Sequence, residues 1–288
     1  MTYVIHGATG AQGAPVAAAL AAAGKKVIAV TRSADTVVSG ARVVVADYAS
    51  TAELTRAYRD AEAVFVHLPL ASEDDRRAYA RHIADAVRAA GTARVVFSTS
   101  GSPLAPADGG DPDGRAGNAV ATLADGLADS GVSHAVIAPT LFLENLLMPH
   151  IVEAVRERGV LPYPMRAGFP VSWASHLDVA DVAVALLERP EVTGVVSVGQ
   201  SPAITAPDLA EAFGARLGRR VRFETVSPED FRASVAPLIG EGAAADVADL
   251  YRALDTLPEY AIALEHSAQK LLGITPRTAS RWLEDIGF

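Results

Sequence analysis

A doubly wound parallel α/β sheet is the fold class this chain predicts, and three observations predict it. Short β-prone runs alternate with helical stretches through the first half of the 288 residues. The first run, Thr2-Tyr3-Val4-Ile5-His6, ends in three glycines spaced G-x-x-G-x-x-G, at Gly7, Gly10 and Gly13. An alanine-rich helix and a second run, Lys26-Val27-Ile28-Ala29-Val30, follow at once, so the opening is a βαβ unit. In such sheets ligands lie outside the carboxyl ends of the strands, and candidate site residues belong there.

Each element has its own warrant. Gly7 permits the sharp turn, Gly10 lets the backbone approach a diphosphate, and Gly13 lets the helix pack on the strand. The first helical N–H groups have no intrahelical partner and face an anion, so Thr9, Ala11 and Gln12 join the glycines as candidate cofactor contacts. Pro15 fits the first turn because its missing donor has no partner there anyway. Gly24 closes the helix. Arg32 follows the second strand, where an acid would accept from the ribose 2′-hydroxyl of NAD; a guanidinium pairs instead with the 2′-phosphate of NADP. NADP(H) is therefore favoured, with NAD(H) second because Asp35 lies close enough to reach a ribose.

Arg42-Val43-Val44-Val45 is a third β run, ending at Asp47-Tyr48. Ser50-Thr51-Ala52-Glu53 is a capping box that opens a short helix. Ala63-Val64-Phe65-Val66 ends at His67-Leu68-Pro69. Ser72 to Asp75 caps a helix with Tyr79, Ile83, Val87 and Ala90 on one face, stopped by Gly91. Arg94-Val95-Val96-Phe97 ends at Ser98-Thr99-Ser100. Residues 101–117, rich in Gly, Pro and Asp, read as a surface loop. A helix around Asn118 to Ser130, a strand His134 to Ala138 and the stretch Pro139 to Leu147 come next. A helix opening at His176 and a late strand, Val195 to Val198, return the chain to the sheet.

The last third has a different grammar. Thr205 caps a helix with Leu209, Phe213 and Leu217 in one stripe, and Val221 to Val226 alternates as a half-buried strand. Ser227-Pro228 and Thr275-Pro276 each open a helix. The predicted organisation is a Rossmann-type domain over residues 1–150, completed by about 171–200, and a smaller α+β substrate-binding lid over 201–288.

Composition removes other classes. A net charge of −9 argues against a nucleic-acid partner. With no cysteine, thiol catalysis and cysteine metal sites are excluded, and the seven His lack ligand spacing, so no metal is expected. The glycine turn begins almost at the first residue and no apolar run is long enough to span a bilayer, which predicts a cytoplasmic protein off the membrane. The oligomeric state stays open, a homo-oligomer included.

The residues now in view resemble the NmrA-like, atypical short-chain dehydrogenase/reductase proteins, and among them the NADPH-dependent quinone and triphenylmethane-dye reductases. The likeness rests on Gly7–Gly13, Arg32, Asp47-Tyr48, the Phe142-Leu143-Glu144-Asn145-Leu146 segment and the helix start His176 to Val182. It implies that Arg32 holds the adenosine phosphate, Asp47 and Tyr48 flank the adenine, and His67, Leu68 and Pro69 line the ribose and diphosphate path. Ser98 joins them at the end of the fifth strand, and Pro139, Leu141 and Phe142 lie along the nicotinamide. Ser100, Asn145, Phe169 and Trp173 are weaker candidates for substrate contact, with core packing the alternative for the aromatics.

One departure bears on mechanism. The main short-chain dehydrogenases use a Tyr with a Lys four residues later to protonate a nascent alkoxide. Here no Tyr lies between Tyr79 and Tyr163, and no Lys between Lys26 and Lys270. A conjugated aromatic or quinone acceptor yields a delocalised, weakly basic product and does not need that acid. The expectation is an NAD(P)H-dependent oxidoreductase acting on such a substrate, an aromatic polyketide of antibiotic biosynthesis for example, with coupling to a monooxygenase-like step. The alternative is a non-catalytic NADP-binding redox sensor.

Overall fold

The computed structural model describes residues 1–102, 104 and 118–288. The chain forms two compact units: Met1–Pro139 with His176–Ser197 and Glu265–Ile274, and Thr140–Ser175 with Val198–Leu264 and Thr275–Phe288.

The first unit is built on seven strands. These are β1 (Thr2–His6), β2 (Lys26–Thr31), β3 (Ala41–Val45), β4 (Ala63–His67), β5 (Arg94–Ser98), β6 (Ser133–Pro139) and, after one strand of the other unit, β8 (Gly194–Val198). Their order is β3-β2-β1-β4-β5-β6-β8, a Rossmann-like arrangement. Central β1 pairs parallel on both sides, Val4 opposite Ile28 and Val64. A strand covered on both faces reads as a continuous apolar run, as β1, β2 and β4 do. Because β3 and β4 lie on opposite sides of β1, the strand order reverses there, and the crevice opens at the carboxyl ends of β1 and β4.

Alternation along the strands divides the core. Val4, Ile28, Val64, Val66, Val95 and Phe97 pack against α2 (Thr51–Tyr58), α3 (Glu73–Ala90) and α4 (Ala119–Ser130). The intervening Ile5, Ala29, Phe65 and Val96 are equally buried and point the other way, toward the layer of α1 (Gly13–Ala22) and α6 (His176–Glu188). Buried Arg94 closes the far end of α6: its guanidinium donates to the Leu186, Pro190 and Val192 carbonyls and to the Ser133 hydroxyl. The Ser50 hydroxyl accepts the Glu53 N–H, but the Glu53 carboxylate reaches back past Ser50 to the Asp47 N–H. Most of the loop read over 101–117 lies outside the described residues.

In the second unit β7 (Val160–Tyr163) pairs parallel with β9 (Arg222–Thr225), Val160 opposite Arg222. Around them stand α5 (Pro149–Glu153), α7 (Ala206–Leu217), α8 (Pro228–Ile239), α9 (Glu241–Asp255) and α11 (Ala279–Asp285), whereas α10 (Ala268–Leu272) belongs to the first unit. Leu161, Tyr163, Trp173, Phe213, Phe231 and Trp282 fill one apolar cluster, and the Trp282 indole donates to Glu144. Thr275-Pro276 does not open the last helix: α11 starts at Ala279, with the Thr278 hydroxyl accepting from the Arg281 N–H. Among the described residues no helix is long and apolar enough to cross a membrane.

Candidate functional site

The glycine turn has a geometry that other residues would not allow. Gly7 has φ +59°, and the Gly10 N–H donates to its carbonyl at 2.8 Å. A Cβ on Gly13 would stand 2.3 Å from the Gly7 carbonyl oxygen and 2.4 Å from that of His6, so the backbone itself excludes a side chain. Helix α1 then begins with no side-chain cap and no acid in its first turn. Among the described residues no acceptor takes the N–H groups of Ala11, Gln12 and Gly13. Three open donors at the positive end of a helix form a seat for a diphosphate.

Gln12 does not cap the helix because its side chain goes elsewhere. It reaches the end of β5, accepting from the Ser98 hydroxyl at 2.7 Å and donating to Ser100 Oγ at 2.9 Å. Ser100 itself has φ +57°, a left-handed conformation uncommon outside glycine.

Beneath the turn lies a group that sequence reasoning missed. His6 is fully buried; its Nε2 lies 2.7 Å from the Tyr58 hydroxyl, and its ring stacks on Tyr48 with centroids 4.9 Å apart and planes 5° from parallel. The Gly7 backbone makes a hydrogen bond to the Tyr48 hydroxyl. Burial, with nearby His67 in second place, drives the His6 pKa down to about 3, and burial raises that of Tyr48. One face of Tyr48 is covered by His6, and its hydroxyl is at the turn. The signal was present, a lone histidine closing an otherwise apolar strand.

His67 covers the other side of the turn. A Cβ on Gly7 would stand 2.2 Å from its Nε2, an atom that is buried and has no hydrogen-bond partner among the described residues. Burial lowers its pKa, the hydrogen bond to the Leu68 backbone works against that, and His176 adds to the lowering. Leu68 is buried and Pro69 half-buried beside it.

Four candidates stay open to solvent. Arg32 is exposed, and among the described residues no carboxylate pairs with it. Asp47 is exposed, with one oxygen accepting from the Ala49 N–H at 2.9 Å. Thr9 and Ala11 are exposed in the turn, and Pro139 ends β6.

The remaining candidates belong to the second unit. Leu141 and Phe142 are held by backbone pairing with Ala174, and Asn145 hydrogen-bonds Tyr163. Phe169 and Trp173, read as substrate contacts, are 3% and 0% exposed within the apolar cluster. A side chain with no open face cannot stack on a ligand, so both are packing residues.

Comparisons with known proteins bear on the whole chain. The NmrA-like family profile matches residues 1–283. The (4-alkanoyl-5-oxo-2,5-dihydrofuran-3-yl)methyl phosphate reductase of Streptomyces griseus is 30% identical over 237 residues, 81% of this chain and 79% of its own. An NADPH-dependent quinone oxidoreductase from Escherichia coli, solved with NADPH, covers 100% of both chains at 22% identity and TM-score 0.74. The triphenylmethane reductase of Citrobacter sp., solved with NADP(H), covers 99% of each at 17% identity and TM-score 0.78. At such identities the two solved structures establish the fold alone. With the family profile and the Streptomyces relative, they lead to one statement: the chain belongs to the NmrA-like family.

Proposed function

We propose that the protein is an NADPH-dependent reductase that delivers hydride to a carbon conjugated with a carbonyl group, as in a quinone or an unsaturated lactone. The observation that carries this is the uncapped start of α1, with three open N–H groups and no acid in the first turn. The residues fit the cofactor: Gly7 to Gly13 would hold the diphosphate, unpaired Arg32 the 2′-phosphate, and Asp47 the adenosine side. Pro139, at the end of β6, would border the nicotinamide. The bound nucleotide supplies the hydride; the chain holds donor and acceptor in register.

The acceptor class follows from what is missing. Without a Tyr/Lys pair, a simple ketone would become a strongly basic alkoxide with no acid at hand. A conjugated acceptor gives a delocalised anion that water protonates, so NADPH, acceptor and one proton become NADP+ and reduced acceptor. The Streptomyces relative reduces an unsaturated lactone by its name, and the two solved reductases are named for quinones and triphenylmethane dyes; all three substrates are conjugated. An aromatic polyketide quinone fits the same class. Its hydroquinone product can pass two electrons and two protons to dioxygen, giving peroxide and quinone, and this is the link to an oxygenation step.

The test is anaerobic loss of nicotinamide absorbance with a quinone and with a 2(5H)-furanone. Turnover with either supports the reading. NADPH binding without turnover would replace the enzyme with an NADP-binding sensor, the reading favoured by the absent Tyr/Lys pair. Arg32→Ala should weaken NADPH about 10- to 100-fold, the effect of one lost charge-assisted contact, and leave NADH affinity unchanged. Equal affinity of the variant for NADPH would remove Arg32 from the site.

A further inference from the structure

A chain of net charge −9 concentrates arginine in one place. Arg156 and Arg158 come just before β7, and Arg216, Arg219, Arg220 and Arg222 come before or at the start of β9; all six are exposed. The two strands run parallel, so both approaches meet at the same end of the sheet. There the Arg220 carbonyl oxygen would stand 2.9 Å from a Cβ on Gly159, and Arg219 donates to the Val155 carbonyl at 2.9 Å and to that of Arg156. Among the described residues only Arg222 of the six has a carboxylate partner, Glu224 at 3.0 Å. Exposed Arg232, Arg252 and Arg281, by contrast, each pair with an acid. Helix ends account for part of the cluster: Arg156 and Arg158 lie in the last turn of the π-helical segment Ala154–Arg158, and Arg216 in that of α7. Arg220 and Arg222 lie outside any helix.

Beside the arginines is an open strand edge. The Arg222 N–H donates to the Gly159 carbonyl at 3.0 Å and the Val226 N–H to that of Tyr163 at 3.2 Å. Phe223 and Thr225 alternate with these residues, so their N–H and C=O groups turn away from β7. Among the described residues β9 pairs with β7 alone, and no acceptor takes those two N–H groups. Pro162 deprives the opposite edge of a donor, whereas β9 has no proline. Phe223 packs on the apolar cluster, which leaves exposed Arg222 and Glu224 on the outer face. An open edge next to unpaired cations selects its occupant. A second copy offering the same edge would bring two arginine clusters together, and nucleic acid has no peptide backbone to pair with a strand.

We propose that the free edge of β9 receives an extended acidic segment of a partner protein, which adds a third strand to the β7–β9 sheet with its carboxylates over Arg158, Arg220 and Arg222. Backbone bonds to Phe223 and Thr225 set the register, and carboxylate–guanidinium pairs select acidic segments over neutral ones. The surface lies wholly in the second unit. It goes beyond the reductase reading and stands or falls without it.

The test titrates the peptide acetyl-Asp-Glu-Asp-Val-Thr-Val-Thr-amide into the full chain and follows amide exchange by NMR. With peptide bound, the Phe223 and Thr225 amides should exchange about 10-fold more slowly or better, and a tenfold rise in salt should weaken binding by about the same factor. Arg220→Glu combined with Arg222→Glu reverses two exposed charges and should abolish binding. Thr225→Pro removes an outward N–H without taking a bond from β7, and should weaken binding about 10-fold. The same peptide with lysine in place of its acids and a thymidine octamer complete the set, and neither should slow exchange at Phe223 or Thr225. Absence of protection at about 1 mM acidic peptide overturns the proposal. So does equal binding of the lysine peptide, tighter binding of the octamer, or binding that Thr225→Pro leaves unchanged. Protection already present in the chain alone and lost on dilution would give the edge to a second copy, and overturns it too.

Discussion

Each unit of the molecule buries a cluster of tyrosines, and the two clusters point their hydroxyls in different directions. In the first unit Tyr58 faces the His6 ring and Tyr48 faces the backbone of the glycine turn, with Tyr79 edge-on to Tyr48 at 5.9 Å. In the second unit Tyr163, Trp173, Phe231 and Tyr251 meet edge to face with centroids 5.4–5.7 Å apart. There the Tyr163 and Tyr251 hydroxyls bond each other, and Asn145 adds a further bond to Tyr163. Burial raises Tyr58 and Tyr251 well above their ordinary pKa, and raises Tyr163 to about 12. The side chains are alike and equally dry, so what separates the clusters is where the polar atoms are satisfied. One group shapes a turn; the other closes on itself and serves as core.

Substitutions can break or sharpen that contrast. The largest effect is expected from Gly13→Ala, whose new methyl would press on two carbonyl oxygens of the turn. NADPH affinity measured by calorimetry should fall more than about 100-fold, since a forced turn no longer presents its donors. Arg94→Met tests the first unit away from the turn. It strips the donor from the carbonyl of buried Leu186 and from those of Pro190 and Val192 nearer the surface, and denaturant unfolding should show a loss of about 2–3 kcal/mol.

Tyr58→Phe and Tyr251→Phe set the two clusters side by side. Each removes one buried hydroxyl partner and should cost about 1–2 kcal/mol. Only Tyr58→Phe should also weaken NADPH, several-fold, because His6 supports Tyr48 and Tyr48 supports Gly7. Equal NADPH affinity in the two variants would erase the distinction. The smallest effect is on acid stability. His6 falls to about 3 from the ordinary 6.5, and His176 to about 4, both from burial. The unfolded chain therefore takes up their protons first. Their contribution is complete above pH 6.5 and declines as pH falls toward those lowered values, each by up to about 1.4 kcal/mol per pH unit. Unfolding between pH 6.5 and 5 should show a shallower slope in His6→Gln; an unchanged slope would mean that His6 is protonated in the folded protein.

The first unit was the more legible because its signals are local. An apolar run of five residues, a glycine triplet or a serine before an acid each specify one element without help from distant chain. The strands at Lys26, Ala63 and Arg94 and the helix stop at Gly91 all follow from such signals. Strand β7 carried none: Val160-Leu161-Pro162-Tyr163 includes a proline and becomes a strand only by pairing with β9, some sixty residues on. Helix α9 begins after glycine with no capping residue, so nothing marked its start. In the site, the backbone cradle could be read from glycine spacing, whereas the stacking of Tyr48 on His6 and the burial of Trp173 depend on neighbours that sequence does not name. The link between Gln12 and the two serines joins positions 86 and 88 residues apart, beyond the reach of any spacing rule.

The three-part make-up of the first unit has a bearing on how it is made. Its last segment, Glu265–Ile274, supplies α10, and Arg189 on the turn after α6 donates to the Leu272 carbonyl. During synthesis, then, a nascent chain already displaying the glycine turn still lacks part of the body around it until residue 274 clears the ribosome. Of the first unit's elements α10 is the last to be synthesised, and it packs against α6.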